Sequence, residues 1–132
     1  MQESFWTHLE ALVTSAELVI ERPRGATHPR HPALVYPLDY GYLKGTSGGD
    51  GSAIDGWRGS LAEGHLEAGV CTVDLEKREA EIKLLLGCPP AEQQIICAFH
   101  QSAWTAALVV ERWPLSPLVP LEQALDSGAG TR

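Results

Sequence analysis

The side-chain character of residues 66–75 and of residues 79–86 repeats every two residues along the chain. These two neighbouring segments constrain the fold more than any other feature. Successive side chains of a β-strand point to opposite faces, so this alternation predicts two strands. In the first strand, one face carries Leu66, Ala68, Val70, Thr72 and Asp74. In the second, one face carries Ile82, Leu84 and Leu86, and the other carries Glu79, Glu81, Lys83 and Leu85. The intervening residues EKR predict a hairpin.

The remaining segments predict further short strands and two helices. Residues 1–16 are expected to form an N-terminal helix, because apolar residues in 4–15 (SFWTHLEALVTS) recur at helical spacing. Residues 17–22, 34–44, 53–60 and 106–113 predict extended structure, and residues 89–102, opened by two prolines, predict a helix. We therefore expect one domain over residues 1–132, mainly β within the α+β class, built as a small closed β-barrel with flanking helices. Residues 114–132 are expected to form a C-terminal tail with a disordered end.

The charge and composition narrow the classes of function. The formal net charge is −7, which argues against general nucleic-acid or membrane-surface binding because both need a positive field. No apolar run approaches the roughly 18 residues that span a bilayer, and the first residues lack the basic start and cleavage site of a signal peptide. A cytoplasmic location is therefore expected. Cys71, Cys88 and Cys97 include no CxxC pair, so we expect free, buried thiols.

The loop GGDGSAID, residues 48–55, contains the first candidate metal ligands. Asp50 and Asp55 lie five residues apart, and glycines allow the loop to turn sharply enough to aim both carboxylates at one cavity. Carboxylate oxygens are hard ligands suited to Mg²⁺ or Mn²⁺. The alternative is an Asx turn leading into a strand, because Asp and Gly are common turn residues. Residues alone leave both interpretations open.

Other polar side chains could join such a site. Glu79, Glu81 and Lys83 share one strand face, which would supply metal ligands and an ammonium group, or would be an ordinary solvated face. Glu21 ends an otherwise apolar strand, and it is either a further ligand or simply exposed. The three tyrosines at positions 36, 40 and 42 bracket the loop, where a hydroxyl could donate to a phosphate oxygen or a ring could pack in the core.

Taken together, the segment YPLDYGYLKGTSGGDGSAID resembles the signature region of the family I soluble inorganic pyrophosphatases. That family has a P-x-x-Y-G-Y segment, matched here from Pro37 to Tyr42, followed by a D-G-D-P-x-D metal loop, matched by Asp50 to Asp55. VIERPRG, with Glu21, resembles the family strand that carries a glutamate ligand. The segment GVCTVDLEKREAEIKLLLG resembles the family hairpin that ends in an acid, a spacer and a lysine, here Glu81 and Lys83. The resemblance covers residues 17–87.

The resemblance implies a closed barrel of the OB type and Mg²⁺-dependent hydrolysis of pyrophosphate to two phosphates, with Mn²⁺ as an alternative metal. It implies metal ligands at Asp50, Asp55, Glu81 and Glu21. It implies phosphate binding by Lys83, Tyr40 and Arg30, and catalytic roles for Asp50, Asp55, Ser52 and Tyr40. It also implies a homo-oligomer that takes pyrophosphate or another small phosphate compound as its ligand.

The sequence departs from the family pattern at several positions. Ser52 stands where the family has the middle loop acid, and Ala53 stands where it has proline. The lysine and glutamate expected before the tyrosine segment, and the Tyr-Lys pair expected in the late helix, are missing. These departures leave a second hypothesis open, in which a catalytically reduced domain of this type binds a phosphate-containing ligand or a protein partner.

Overall fold

The computed structural model describes residues 2–112, which form two helices and six strands. In chain order the elements are α1 (Gln2–Thr14), β1 (Leu18–Arg22), β2 (Asp39–Leu43), β3 (Asp55–Arg58), β4 (Leu66–Asp74), β5 (Glu79–Leu86), α2 (Pro90–Phe99) and β6 (Thr105–Glu111). The tail predicted for residues 114–132 lies outside the described residues. Neither of the helices described here is long and apolar enough to cross a membrane.

The six strands form one mixed sheet in the order β1-β2-β3-β5-β4-β6. Every neighbouring pair is antiparallel except β3 and β5, which run parallel. The prediction of an α+β fold is confirmed. Within residues 2–112, however, β1 and β6 are the two edges of an open sheet, so the closed OB-like barrel expected from the sequence is not supported. β5, and not β4, lies next to β3. β6 pairs with β4 on its other side, so it forms the edge of the sheet opposite β1.

The predicted hairpin of β4 and β5 is present, with Val70 opposite Lys83 and Thr72 opposite Glu81. Its register shifts between Leu66 and Ala68, which marks a β-bulge. The extra residue turns Leu66 to the opposite face from Ala68, and the two side chains belong to different hydrophobic clusters. The prediction that Leu66 shares a face with Ala68 is therefore wrong, because a bulge interrupts the period-two pattern.

Each face of the sheet is packed against one helix. On the face covered by α2, the buried cluster comprises Tyr36, Leu38, Trp57, Ala68, Val70, Leu85, Cys88 and Ile96. On the face covered by α1, it comprises Trp6, Leu43, Leu66, Leu84 and Leu86. Burying these large apolar side chains supplies the main drive for folding. The α2 face also carries the candidate functional side chains.

Candidate active site

A buried lysine lies at the centre of the polar residues on the α2 face. The side chain of Lys83 is only 9% exposed, and its ammonium donates hydrogen bonds to three oxygen atoms. These are Glu81 Oε1 at 2.6 Å, the Tyr40 hydroxyl at 2.8 Å and Asp55 Oδ2 at 3.1 Å. Burial by itself lowers the pKa of Lys83, but these partners outweigh it and hold the pKa above its ordinary value. Lys83 is thus a fixed positive charge.

The Tyr40 hydroxyl links the lysine to a carboxylate. It accepts the hydrogen bond from Lys83 and donates one to Asp55 Oδ2 at 2.5 Å. Burial raises the pKa of Tyr40 above its usual range, with the Asp55 carboxylate adding to the effect. Tyr40 therefore remains a neutral donor, and Asp55 is held by two donors at one oxygen.

The sheet register explains why these side chains meet. Tyr42 lies opposite Asp55 in the β2–β3 pair, and Tyr40 lies opposite Trp57. In the parallel β3–β5 pair, Gly56 lies beside Leu84. The residues that precede them, Asp55 and Lys83, consequently point to the same face, because side chains alternate along each strand. β2 and β3 therefore contribute one polar side chain each to this network, Tyr40 and Asp55, and β5 contributes Glu81 and Lys83.

The glycine-rich loop before β3 folds as a compact turn. The backbone N–H of Ser52 donates to Asp50 Oδ1 at 3.0 Å, and the N–H of Gly48 donates to the Ser52 carbonyl at 2.6 Å. Gly51 has φ of 85°, a conformation that favours glycine. The loop is therefore an Asx turn, which was one of the two interpretations left open by the sequence.

The same turn places Asp50 beside the end of β5. Single carboxylate oxygens of Asp50, Glu79 and Glu81 all lie within 4.8 Å of one another. Asp50 is exposed and the two glutamates are partly buried. Carboxylate oxygens are hard donors, so these three side chains could hold a divalent metal ion. The donor set is thus compatible with the expected cofactor, and Glu81 belongs both to it and to the lysine network.

The structure brings together some of the predicted site residues and leaves others apart. Asp50 and Glu81 lie in the acidic cluster, whereas Asp55, Tyr40 and Lys83 form the adjoining network. The sequence indicated that Glu79 shares the face of Glu81, but the resemblance did not place it among the metal ligands. Its alternation with Glu81 on β5 was the available signal.

Three further predicted residues lie outside these two clusters. The Glu21 side chain is 54% exposed, and it pairs with Arg22 at 3.6 Å. Arg30 is exposed, and its backbone N–H donates to His28 Nδ1 at 3.1 Å. Ser52 is exposed, and within residues 2–112 its hydrogen bonds are made by the backbone alone.

Aromatic rings pack behind the polar network. The Tyr40 ring contacts Trp57, at 4.8 Å between centroids, and also Tyr36, at 5.4 Å. Trp57 is fully buried, and its indole N–H donates to His100 Nε2 at 3.2 Å. Burial, with the nearby Lys83 charge, lowers the pKa of His100 to about 3, so the imidazole is neutral near pH 7. The sequence did not indicate this pair, since 43 residues separate its members.

A cation that the sequence did not single out lies at the edge of these rings. The Arg22 guanidinium lies 5.8 Å from the centroid of the Tyr36 ring. The same ring stacks parallel to the imidazole of His28, at 6.1 Å. Arg22 and His28 therefore extend this group of packed rings toward the loop that follows β1.

Comparison with known proteins gives no relative: neither a protein-family model nor a curated protein matches this sequence.

Proposed function

We propose that this protein hydrolyses inorganic pyrophosphate to two phosphates in a Mg²⁺-dependent reaction. The proposal rests on one observation: Glu81 belongs both to the acidic cluster and to the network around Lys83. This side chain joins the acidic cluster of Asp50 and Glu79 to the buried ammonium of Lys83. Metal ligands adjoining a fixed cation are the combination that a phosphoanhydride substrate requires.

Each group has a distinct part in the proposed reaction. Asp50, Glu79 and Glu81 would hold the metal ion, which would supply charge neutralisation and a more acidic water. The Lys83 ammonium already donates to Glu81, Tyr40 and Asp55, and the Tyr40 hydroxyl donates its one proton to Asp55. Each would therefore donate to a phosphate oxygen by exchanging one of these hydrogen bonds when the substrate binds.

Asp55 is the proposed acceptor of the water proton. Its Oδ2 is occupied by Tyr40 and Lys83, and its Oδ1 makes no hydrogen bond within residues 2–112. The water oxygen forms a bond to one phosphorus atom, and the bond from that phosphorus to the bridging oxygen breaks. The leaving phosphate keeps the electron pair, and Asp55 takes the proton from the water. The family resemblance at residues 37–55 implies that Asp55 is a catalytic residue and a metal ligand. We assign the proton to Asp55 because Ser52, at the position of the family acid, has no carboxylate.

Phosphate release from pyrophosphate tests the proposal. The wild type should release phosphate only when Mg²⁺ or Mn²⁺ is added. Asp55→Ala and Glu81→Gln should each slow release by about 10²-fold or more, because acid–base and metal-binding groups contribute at least this much. Glu76→Gln is the matched control, since Glu76 is an exposed acid of the same hairpin outside both clusters. Equal loss in the control, or metal-independent release, would contradict the assignment.

A second function is favoured by one specific observation. The Lys83 charge is already balanced by two carboxylates, and Ser52, in place of the family acid, offers no negative charge. A domain of this kind would bind a phosphate compound together with Mg²⁺ without cleaving it. Calorimetric titration with Mg²⁺ and phosphate distinguishes the two functions: binding without any phosphate release from pyrophosphate would replace the hydrolase with the binding domain.

A further inference from the structure

One half of the sheet exposes an entirely apolar surface on the side of α1. Cross-strand pairs place the side chains of β4, β5 and β6 there in three rows. We call this surface the outer apolar face, and its residues are Cys71, Val73, Ala80, Ile82, Ala106, Leu108 and Val110. Leu108 is 67% exposed and Val73 is 47% exposed. No member of this surface is polar, which is unusual for the solvent-facing side of an antiparallel sheet.

Helix α1 covers only one end of β4 and β5 on this side of the sheet. Its packing partners there are Leu66, at the start of β4, and Leu84 and Leu86, at the end of β5. Ile82, two residues before Leu84 on β5, is still 37% exposed. Contiguous apolar surface of this kind marks a contact site in soluble proteins.

The chain continues from a position next to this surface. Arg112, just after β6, donates from Nη1 to Glu10 Oε2 of α1 at 2.8 Å. Its backbone N–H donates to the Glu67 carbonyl at 3.3 Å. Residue 112 is therefore fixed between α1 and the row that ends at Val110, on the side of the sheet that carries the outer apolar face.

The sequence after residue 112 is rich in large apolar residues, as a segment that covers an apolar face would need to be. Residues 113–125, WPLSPLVPLEQAL, contain six large apolar side chains and one acid. The apolar residues are Trp113, Leu115, Leu118, Val119, Leu121 and Leu125. Three strands span about 10 Å from first to last, and about 3.3 Å per extended residue gives this segment ample reach.

We propose that residues 113–125 pack over the outer apolar face of the same chain. A segment tethered next to its contact surface has a high effective concentration there, so it competes well against a second molecule. Packing these leucines on the face removes apolar surface of both from water. The proposal does not depend on the proposed hydrolase function, because the outer apolar face lies on the opposite side of the sheet.

Cys71 provides a natural reporter, because it lies in the middle of the outer apolar face, between Ile82 and Leu108. The rate of maleimide labelling is measured for each cysteine by mass spectrometry in the full chain. Cys97 on α2 is the internal control, since it lies on the other side of the sheet and is also partly exposed. In the double variant Leu118→Asp/Leu121→Asp, labelling of Cys71 should be about fivefold faster or more, as expected when a local contact opens, with Cys97 unchanged.

A matched variant and two protein concentrations decide between occupants. Leu61→Asp adds charge at an exposed apolar residue away from the face, and it should leave labelling of Cys71 unchanged. An equal rate at Cys71 in wild type and in the double variant would overturn the proposal. Protection of Cys71 that is lost on dilution and persists in the double variant would also overturn it, since a second copy would then cover the face.

A cross-linking measurement tests proximity without removing the apolar side chains. Single variants Leu118→Cys, Leu121→Cys and Leu125→Cys are oxidised mildly with an added disulfide reagent. The proposal expects an intramolecular disulfide between Cys71 and at least one of these positions, found as a linked peptide in the monomer. Absence of such a link in all three variants, or links found only between chains, would refute it.

Discussion

Replacing Lys83 by methionine removes a positive charge that pairs with both Glu81 and Asp55. Methionine keeps most of the volume, so the change isolates the ammonium group and its three hydrogen bonds. Breaking a buried ion pair by removing one partner costs about 3–5 kcal/mol. Here the side chains of Asp55 and Glu81 are 31% and 30% exposed, so water recovers part of the loss. We therefore expect the free energy of unfolding to fall by about 2–3 kcal/mol.

Urea unfolding of the wild type and the variant, followed by tryptophan fluorescence, measures this difference. Lys44→Met is the matched control: Lys44 is exposed, so its loss should change stability by no more than about 0.5 kcal/mol. A loss from Lys83→Met as small as in the control would refute the buried network.

The same variant tests whether a cation and Lys83 share the carboxylates. Without the ammonium, the acidic cluster attracts a divalent ion more strongly, and an ion at about 100 times its dissociation constant adds about 2.7 kcal/mol of stability. Mg²⁺ should therefore stabilise Lys83→Met more than it stabilises the wild type. An equal Mg²⁺ effect on both proteins would contradict a shared site.

Two further predictions concern the residues around the network. In the unfolded state His100 takes up a proton near pH 6.5, whereas in the folded state it does so only near pH 3. Between these pH values the unfolded state binds more protons than the folded state. The free energy of unfolding should therefore fall as the pH drops through this window, by up to about 1.4 kcal/mol per pH unit. Thermal unfolding at a series of pH values measures the slope, and His100→Gln should flatten it; an unchanged slope would contradict the burial of the imidazole. In β2, a Cβ at Gly41 would collide with the Val19 carbonyl, so Gly41→Ala should cost about 3 kcal/mol or more in urea unfolding. Gly49→Ala, with open space around it, should be tolerated, and equal stability of the two alanine variants would refute the steric argument.

The parts of the site that depend on local periodicity could be predicted from the sequence. The alternation of Glu79, Glu81 and Lys83 on β5 fixes their common face, because side chains of a strand repeat every two residues. The hairpin with β4 follows from the short turn between two such strands. The resemblance to pyrophosphatases, which stays a prediction, singled out the segment from Tyr40 to Asp55, and both of these end residues contact Lys83 of β5.

The contacts between distant segments could not be predicted in this way. The approach of Asp55 to Lys83 depends on the parallel pairing of β3 with β5, and no local pattern in either strand specifies its neighbour. For the same reason the strand count gave no basis for distinguishing an open sheet from a closed barrel. The bulge before Ala68 also has no sequence signal, since the residue between Leu66 and Ala68 is an ordinary glutamate.

The parallel β3–β5 pair has a consequence for the order of folding events. It is the only strand pair of the described sheet that joins the half made of β1–β3 to the half made of β4–β6. Tyr40 and Asp55 belong to the first half, whereas Glu81 and Lys83 belong to the second. Parallel pairing between separated segments forms slowly, because the intervening chain must be ordered first. We expect the two halves to meet late, after the transition state has formed its local hairpin. The hydrogen bonds around Lys83 then form after the transition state and stabilise the native state alone. Their loss should speed unfolding while leaving the folding rate nearly unchanged.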